Sequence, residues 1–87
     1  MIEEIDFKIL ERLSKRGRGG IYASPRAIRN AIGPISYHGL IRRLDRLHIC
    51  GLVLGSNGGG EWRIDGLGRE VLRAREFGLP YPSSNVE

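Results

Sequence analysis

The side chains with the most evident chemistry are arginines, and they are concentrated in the middle of the chain. The 87-residue sequence contains 14 basic residues, twelve of them arginine. A guanidinium group donates two parallel hydrogen bonds, which fits a phosphate group or the edge of a guanine base. Residues 12–46 hold nine basic residues against Asp45 alone, a net charge of +8, whereas residues 1–11 carry −3 and residues 47–87 carry −1. Because a local basic field attracts polyanions, this segment predicts a polyanionic partner.

Metal binding and catalysis are not predicted. The histidine and cysteine residues are His38, His48 and Cys50, whereas a closed structural zinc site usually takes four ligands. Cys50 has no evident activating partner, and no glycine-rich phosphate-binding motif opens a helix. We therefore expect neither an enzyme nor a cofactor. The single cysteine, with no signal peptide and no membrane-spanning apolar run, predicts a soluble protein of the cytoplasm.

The basic residues must be positioned by helices, and the clearest helix is predicted to begin after Ser36 and to end at Gly51. Serine is a preferred N-cap, and glycine readily ends a helix. One face carries a leucine stripe formed by Leu40, Leu44 and Leu47. At about 100° per residue, the opposite face carries His38, Arg42, Asp45 and Ile49, with Arg46 beside them. The sequence therefore predicts a helix with a buried leucine face and an arginine-bearing outer face.

A supporting helix is predicted directly before it. Ser24-Pro25 is a strong start signal, and Gly33-Pro34 ends the helix at about Ile32. Its predicted inner face consists of Ala27, Ile28, Ala31 and Ile32. The short connection to Ser36 is typical of a helix-turn-helix.

The ends of the chain complete one small domain. A first amphipathic helix over residues 2–16 carries Ile2, Ile5, Ile9 and Leu13, with Leu10 widening the stripe. Ile21 and Tyr22 are predicted to form a very short strand. A hairpin is predicted from Leu52–Leu54 and Glu61–Ile64, with Trp62 and Ile64 pointing inward toward Leu52 and Leu54. Asp65 caps a last helix over about Gly66 to Phe77.

These elements predict an α+β domain, mostly α, over residues 1–78, followed by a disordered tail at residues 79–87. Two segments carry a further signal. The first is IS-x-x-x-L-x-x-x-L-x-x-L-x-x-x-GLV, from Ile35 to Val53, and the second is WRIDGLGREVL, from Trp62 to Leu72. Both resemble segments of the winged helix-turn-helix transcription regulators of bacteria and archaea, which include MarR-like, ArsR-like and small archaeal or archaeal-virus proteins. Asp65 stands where the family usually has threonine. The resemblance covers about residues 5–75.

The resemblance implies sequence-specific binding to double-stranded DNA, with the helix from Ser36 in the major groove. The base-reading residues that it implies are Tyr37, His38, Ile41 and Arg42. The phosphate contacts that it implies are Arg26, Arg29, Arg43, Arg46 and Arg63. Family habit and small size also imply a homodimer that contacts its partner through the first and last helices. The glycine-rich hairpin tip carries no basic residue, so the hairpin is expected to contribute little.

Two other functions remain open from the sequence. Some winged helices are protein–protein interaction modules, and others bind nucleic acid without sequence preference. Any single arginine can be an ordinary solvated surface charge, and arginine enrichment is also typical of GC-rich or heat-adapted sources. Asp45 is unfavourable beside phosphate, so it is expected to contact cytosine or to pair with Arg42 and Arg46.

Overall fold

The computed structural model describes residues 2–15, 22–56 and 60–78. Within these ranges the chain forms four helices and one two-stranded antiparallel sheet. In chain order the elements are α1 (Glu4–Ser14), α2 (Pro25–Ile32), α3 (Tyr37–Ile49), β1 (Val53–Gly55), β2 (Trp62–Ile64) and α4 (Gly66–Phe77). The predicted α+β class with a majority of helix is confirmed. The basic loop at residues 17–20, the centre of the hairpin tip and the tail at residues 79–87 lie outside the described residues.

The starts of α2 and α3 are determined by the local sequence. The hydroxyl of Ser24 accepts a hydrogen bond from the Ala27 amide at 3.2 Å, and the hydroxyl of Ser36 accepts one from the Gly39 amide at 3.0 Å. The amide groups in the first turn of a helix have no carbonyl acceptor within the helix, and each of these bonds supplies an acceptor for one of them. After α3, Gly51 adopts a φ of +80°, a left-handed conformation that favours glycine. These boundaries agree with the prediction.

The leucine stripe of α3 lies in the hydrophobic core, as predicted. Leu40, Leu44 and Leu47 are all buried. In α2, Ile28 and Ile32 are buried, but Ala31, which was predicted for the inner face, is exposed. That prediction is wrong because Ala31 borders the open groove between α1 and α2.

Helix α1 is shorter than predicted, and its buried face is rotated. Ile2 and Ile5, predicted for the apolar stripe, are only half-buried, whereas Phe7 is buried. The guanidinium of Arg75 covers the Phe7 ring, with Cζ 4.2 Å from the ring centroid. The buried hydrophobic residues of α1 are Phe7, Ile9, Leu10 and Leu13. The difference arises because α1 packs against α2, α4 and β2 together.

The register of the hairpin differs from the prediction by one residue. The opposed pairs are Val53–Ile64, Leu54–Arg63 and Gly55–Trp62. Because successive side chains of a strand point to opposite faces, Val53 shares the core face with Ile64, and Leu54 does not. Leu52 is buried as well, but it lies before the strand. The predicted pairing of Trp62 and Ile64 with Leu52 and Leu54 is therefore wrong.

Ala23 extends the sheet beside β2. Its amide donates to the Trp62 carbonyl at 2.7 Å, and its carbonyl accepts from the Trp62 amide at 2.8 Å. This isolated bridge lies one residue after the predicted strand at Ile21 and Tyr22, of which Ile21 is outside the described residues. The Trp62 side chain is buried in the core, as predicted.

The first turn of α4 lies directly against the segment that leads into β1. The Asp65 carboxylate accepts a hydrogen bond from the Gly66 amide at 2.8 Å, and the Asp65 amide donates to the Leu52 carbonyl at 3.0 Å. Gly68 is buried here, and a Cβ on it would overlap the Leu52 carbonyl oxygen and lie 2.8 Å from Cγ1 of Ile64. The contact between α4 and the sheet therefore requires a residue without a side chain.

Candidate nucleic-acid interface

The outward face of α3 brings polar and charged side chains to the surface. Because the leucine stripe is buried, the residues about half a turn away from it must face solvent. The exposed residues of this face are His38, Arg42, Asp45, Arg46 and Ile49. The packing of the helix therefore leaves a complete face available to a partner.

The four predicted base-reading residues lie in the N-terminal half of α3, and three of them are exposed. Tyr37 is 53 % exposed, and its ring meets the His38 ring edge-on with the centroids 6.0 Å apart. Arg42 lies one turn after His38 on the same face. Ile41 is half-buried and packs against the core, so it offers only part of its side chain.

Two predicted phosphate contacts lie together on α2. Arg26 and Arg29 are exposed and line a shallow groove of about 310 Å³ with Asn30 and the Gly33–Pro34 turn. None of these described lining residues is acidic. The groove therefore presents two guanidinium groups and an amide without a competing carboxylate.

Arg43 is placed differently from the other predicted phosphate contacts. Its Nη1 donates to the carboxylates of Glu3, at 2.8 Å, and Asp6, at 3.2 Å, both from the start of α1. These pairs raise the pKa of Arg43 above its ordinary value, mainly through the hydrogen bond to Glu3. A phosphate would have to compete with two carboxylates for this guanidinium. The geometry thus gives Arg43 an intramolecular role that the sequence did not indicate.

Arg46 is exposed on the same helix and forms no ion pair with another described residue. Asp45 was expected to contact cytosine or to pair with Arg42 and Arg46. Within the described ranges it forms no ion pair with either arginine. Both arginines are therefore available to an external anion.

Arg63 lies on the outer side of the hairpin, opposite Leu54. Its Cζ is 6.0 Å from the centroid of the Tyr22 ring, the outer limit of a cation–π contact. Arg63 is half-buried, so this side of the sheet offers less exposed charge than α2 and α3.

His48 has a structural role that the sequence did not reveal. Its Nδ1 lies 3.1 Å from the Val53 carbonyl oxygen, and its ring meets the Trp62 ring edge-on at 6.0 Å. The ring therefore connects the end of α3 to both strands. In the part of the chain that the structure describes, no three histidine, cysteine or acidic side chains come together as a metal site.

The ion pairs of Glu3 and Glu4 predict a loss of stability in acid. Arg43 lowers the pKa of Glu3 and Arg75 lowers the pKa of Glu4, in both cases mainly through a side-chain hydrogen bond. Because these pKa values are lower in the folded than in the unfolded state, the pairs stabilise the fold above the ordinary glutamate pKa of about 4.3. This contribution is lost as the pH falls through the lowered values.

Urea unfolding at about pH 7 and at about pH 2.5 measures this effect. We expect the free energy of unfolding to fall less between the two pH values in the double variant Glu3→Gln/Glu4→Gln than in the wild type. An equal fall in both proteins would show that the two pairs do not contribute.

Comparisons with protein-family models, with curated proteins and with solved structures found no match to this chain. No helix in the described ranges is long and apolar enough to cross a membrane.

Proposed function

We propose that this protein is a winged helix-turn-helix transcription regulator that binds double-stranded DNA in a sequence-specific manner. The observation that carries the proposal is the two-sided character of α3. Its leucine face is buried, and its opposite face presents Arg42 and Arg46, which form no ion pairs with other described residues. Helix α2 before it and a hairpin after it are the elements that accompany a recognition helix in winged-helix proteins.

In this proposal α3 lies in the major groove with its first turns toward the base edges. Arg42 donates two hydrogen bonds to O6 and N7 of a guanine. Tyr37 and His38 contact neighbouring bases or phosphates, and the exposed part of Ile41 meets a thymine methyl group. These contacts supply the sequence preference.

The phosphate contacts come from both helices of the helix-turn-helix. Arg26 and Arg29, which line the groove on α2, each contact a phosphate group. Arg46 contacts another from α3, and Arg63 adds a contact from the hairpin. Such contacts fix the orientation of a protein on DNA and do not depend on sequence. Arg43 is omitted from this set because its guanidinium is bound to two carboxylates.

We also propose that the protein binds a pseudo-palindromic site as a homodimer and regulates transcription by steric occupation of a promoter. The outer faces of α1 and α4 are the proposed dimer interface. Phe77, the last residue of α4, is 65 % exposed and supports this choice because it is a large apolar side chain that the other described residues leave uncovered.

The salt dependence of DNA binding tests the proposal. About four arginine–phosphate contacts per chain should give a slope of log binding constant against log salt concentration of about −3.6 for a monomer and about −7 for a dimer. Fluorescence anisotropy with a duplex selected from a random pool measures it. The double variant Arg26→Gln/Arg29→Gln should reduce the slope by about 2 per chain and weaken all duplexes alike. If the wild type binds no duplex at about 50 mM salt, the proposal is wrong.

A protein–protein interaction module is the second candidate, and exposed apolar side chains favour it. Ile49 and Phe77 are 84 % and 65 % exposed. Absence of DNA binding at low salt would favour this function. Equal affinity for selected and random duplexes, or a preference for RNA, would instead favour nonspecific nucleic-acid binding.

A further inference from the structure

Three charged side chains link the start of α1 to the flank of α3, and we call them the α1–α3 network. Nη1 of Arg43 donates to Oε1 of Glu3 at 2.8 Å and to Oδ1 of Asp6 at 3.2 Å. The other Asp6 oxygen, Oδ2, accepts the backbone amide of Glu3 at 2.9 Å. Asp6 is 3 % exposed and is the one charged residue that is buried among those that the structure describes.

The exposed pair between Glu3 and Arg43 contributes to stability, but stability gives little reason to bury the Asp6 carboxylate. Taking a carboxylate out of water is unfavourable, and buried ion pairs can often be replaced by apolar residues of similar volume without loss of stability. The network is directional, because each hydrogen bond has a preferred angle between donor and acceptor. Both oxygens of Asp6 accept such a bond. The contacts of the leucine stripe are not directional. The α1–α3 network therefore adds a directional restraint on the rotation of α3 about its own axis to the packing of the leucines.

Arg43 occupies a position from which it can restrict this rotation. It lies about 60° around the helix from Leu40, at the edge of the buried stripe, and it is adjacent in sequence to Arg42. A rotation of α3 by about 10° would move atoms at its outer radius of about 5–6 Å by about 1 Å. Binding constellations need their side chains held to within about 0.5 Å and 10–20°. A small rotation would therefore weaken the base contacts strongly. It would weaken the attraction between arginine and phosphate only slightly, because that attraction changes gradually with distance.

We propose that Glu3 and Asp6 are positioning residues, which act through Arg43 to fix α3 and so determine how sharply the protein discriminates between DNA sequences. The inference rests on the proposed function, because it concerns the helix that reads the bases there. It gives the acidic start of α1 a role in recognition although neither carboxylate contacts DNA.

The ratio of the dissociation constants for a random and a selected duplex, at one salt concentration, measures this discrimination. Asp6→Asn removes the charge, keeps the size and can still accept the Glu3 amide. We expect it to lower the ratio about 10-fold, within the range for one misplaced base contact. Affinity for the random duplex should change less than about 2-fold, because the phosphate contacts remain.

Two further variants complete the test. Glu3→Gln alters an exposed carboxylate and should lower the ratio by a smaller factor, so it decides the question if Asp6→Asn does not fold. Glu4→Gln is the matched control, because this neighbouring carboxylate pairs with Arg75 of α4 at 2.6 Å and not with α3. It should leave the ratio unchanged.

Variants of Arg43 separate positioning from a direct phosphate contact. Adding Arg43→Gln to Asp6→Asn should lower the ratio no further, because the network is already broken. The inference is overturned if Arg43→Gln weakens binding to both duplexes equally while Asp6→Asn weakens binding to neither.

Amide NMR spectra of the protein without DNA give an independent measurement of the effect on α3. Asp6→Asn should shift resonances along residues 37–49, and Glu4→Gln should not.

Failure of the inference and failure of the proposed function are distinguishable. A wild-type protein that binds both duplexes equally would overturn the proposed function and this inference with it. A wild type that discriminates, together with a folded Asp6→Asn variant whose ratio is unchanged, would overturn the inference alone.

Discussion

Gly68→Ala is expected to lower the free energy of unfolding by about 2–3 kcal/mol, although alanine is the better helix former by about 1 kcal/mol. The added Cβ would overlap the Leu52 carbonyl oxygen and lie 2.8 Å from Cγ1 of Ile64. The carbonyl oxygen cannot move away freely, since it accepts the Asp65 amide at 3.0 Å. Helix α4 would have to separate from the segment before β1, and the buried contacts around Gly68 would be lost.

Urea unfolding measures this loss, and Gly66→Ala is its matched control. Gly66 begins the same helix. Apart from its two chain neighbours and the backbone of α4, no atom of the described residues lies within 4 Å of a Cβ placed on it. We expect Gly66→Ala to be neutral or slightly stabilising. If the two variants have equal stability, the close approach at Gly68 does not restrict the residue type.

Arg42→Ala is expected to weaken binding to the selected DNA site by about 1–3 kcal/mol and to relax the preference at one base position. Arg42 is exposed, lies one turn after His38 and has no ion pair with a described residue. It therefore approaches a base without first leaving another partner. Binding to random duplexes should weaken much less, because only one positive charge is removed.

Two controls make the Arg42 result specific. Arg42→Lys retains the charge but replaces the planar guanidinium by a single ammonium nitrogen, so it should lose part of the discrimination and little of the nonspecific affinity. Arg29→Ala removes an exposed arginine that is proposed to contact phosphate, so it should weaken all duplexes alike and leave the discrimination intact. Anisotropy titrations with single-base variants of the selected duplex provide the measurement. Equal weakening of every duplex by Arg42→Ala would make Arg42 a phosphate contact.

The helices that carry the candidate site could be predicted because their signals are local. Ser24, Ser36 and Asp65 each accept a backbone amide within three residues of themselves, so a short window contains both the signal and its partner. The leucine spacing then determined which face of α3 is buried. The exposure of His38 and Arg42 followed from that spacing.

The features that could not be predicted depend on residues far apart in the chain or on ambiguous patterns. Glu3 and Arg43 are 40 positions apart, and nothing in the sequence near Arg43 indicates that it pairs with the start of α1. In the hairpin, residues 52–54 are all apolar, so alternation could not select the register. Only the packing of β1 against its neighbours resolves such a case.

The ion pair between Glu4 and Arg75 joins residues that are 71 positions apart, so it closes nearly the whole described chain into one loop. Closing such a loop reduces chain entropy before the contact contributes any stability, whereas the capped helices α2 and α3 form from local contacts. We therefore expect the contact between α1 and α4 to form after the folding transition state. Interactions of that kind slow unfolding and leave the folding rate nearly unchanged. The first and last helices would then govern the lifetime of the folded protein rather than the speed with which it forms.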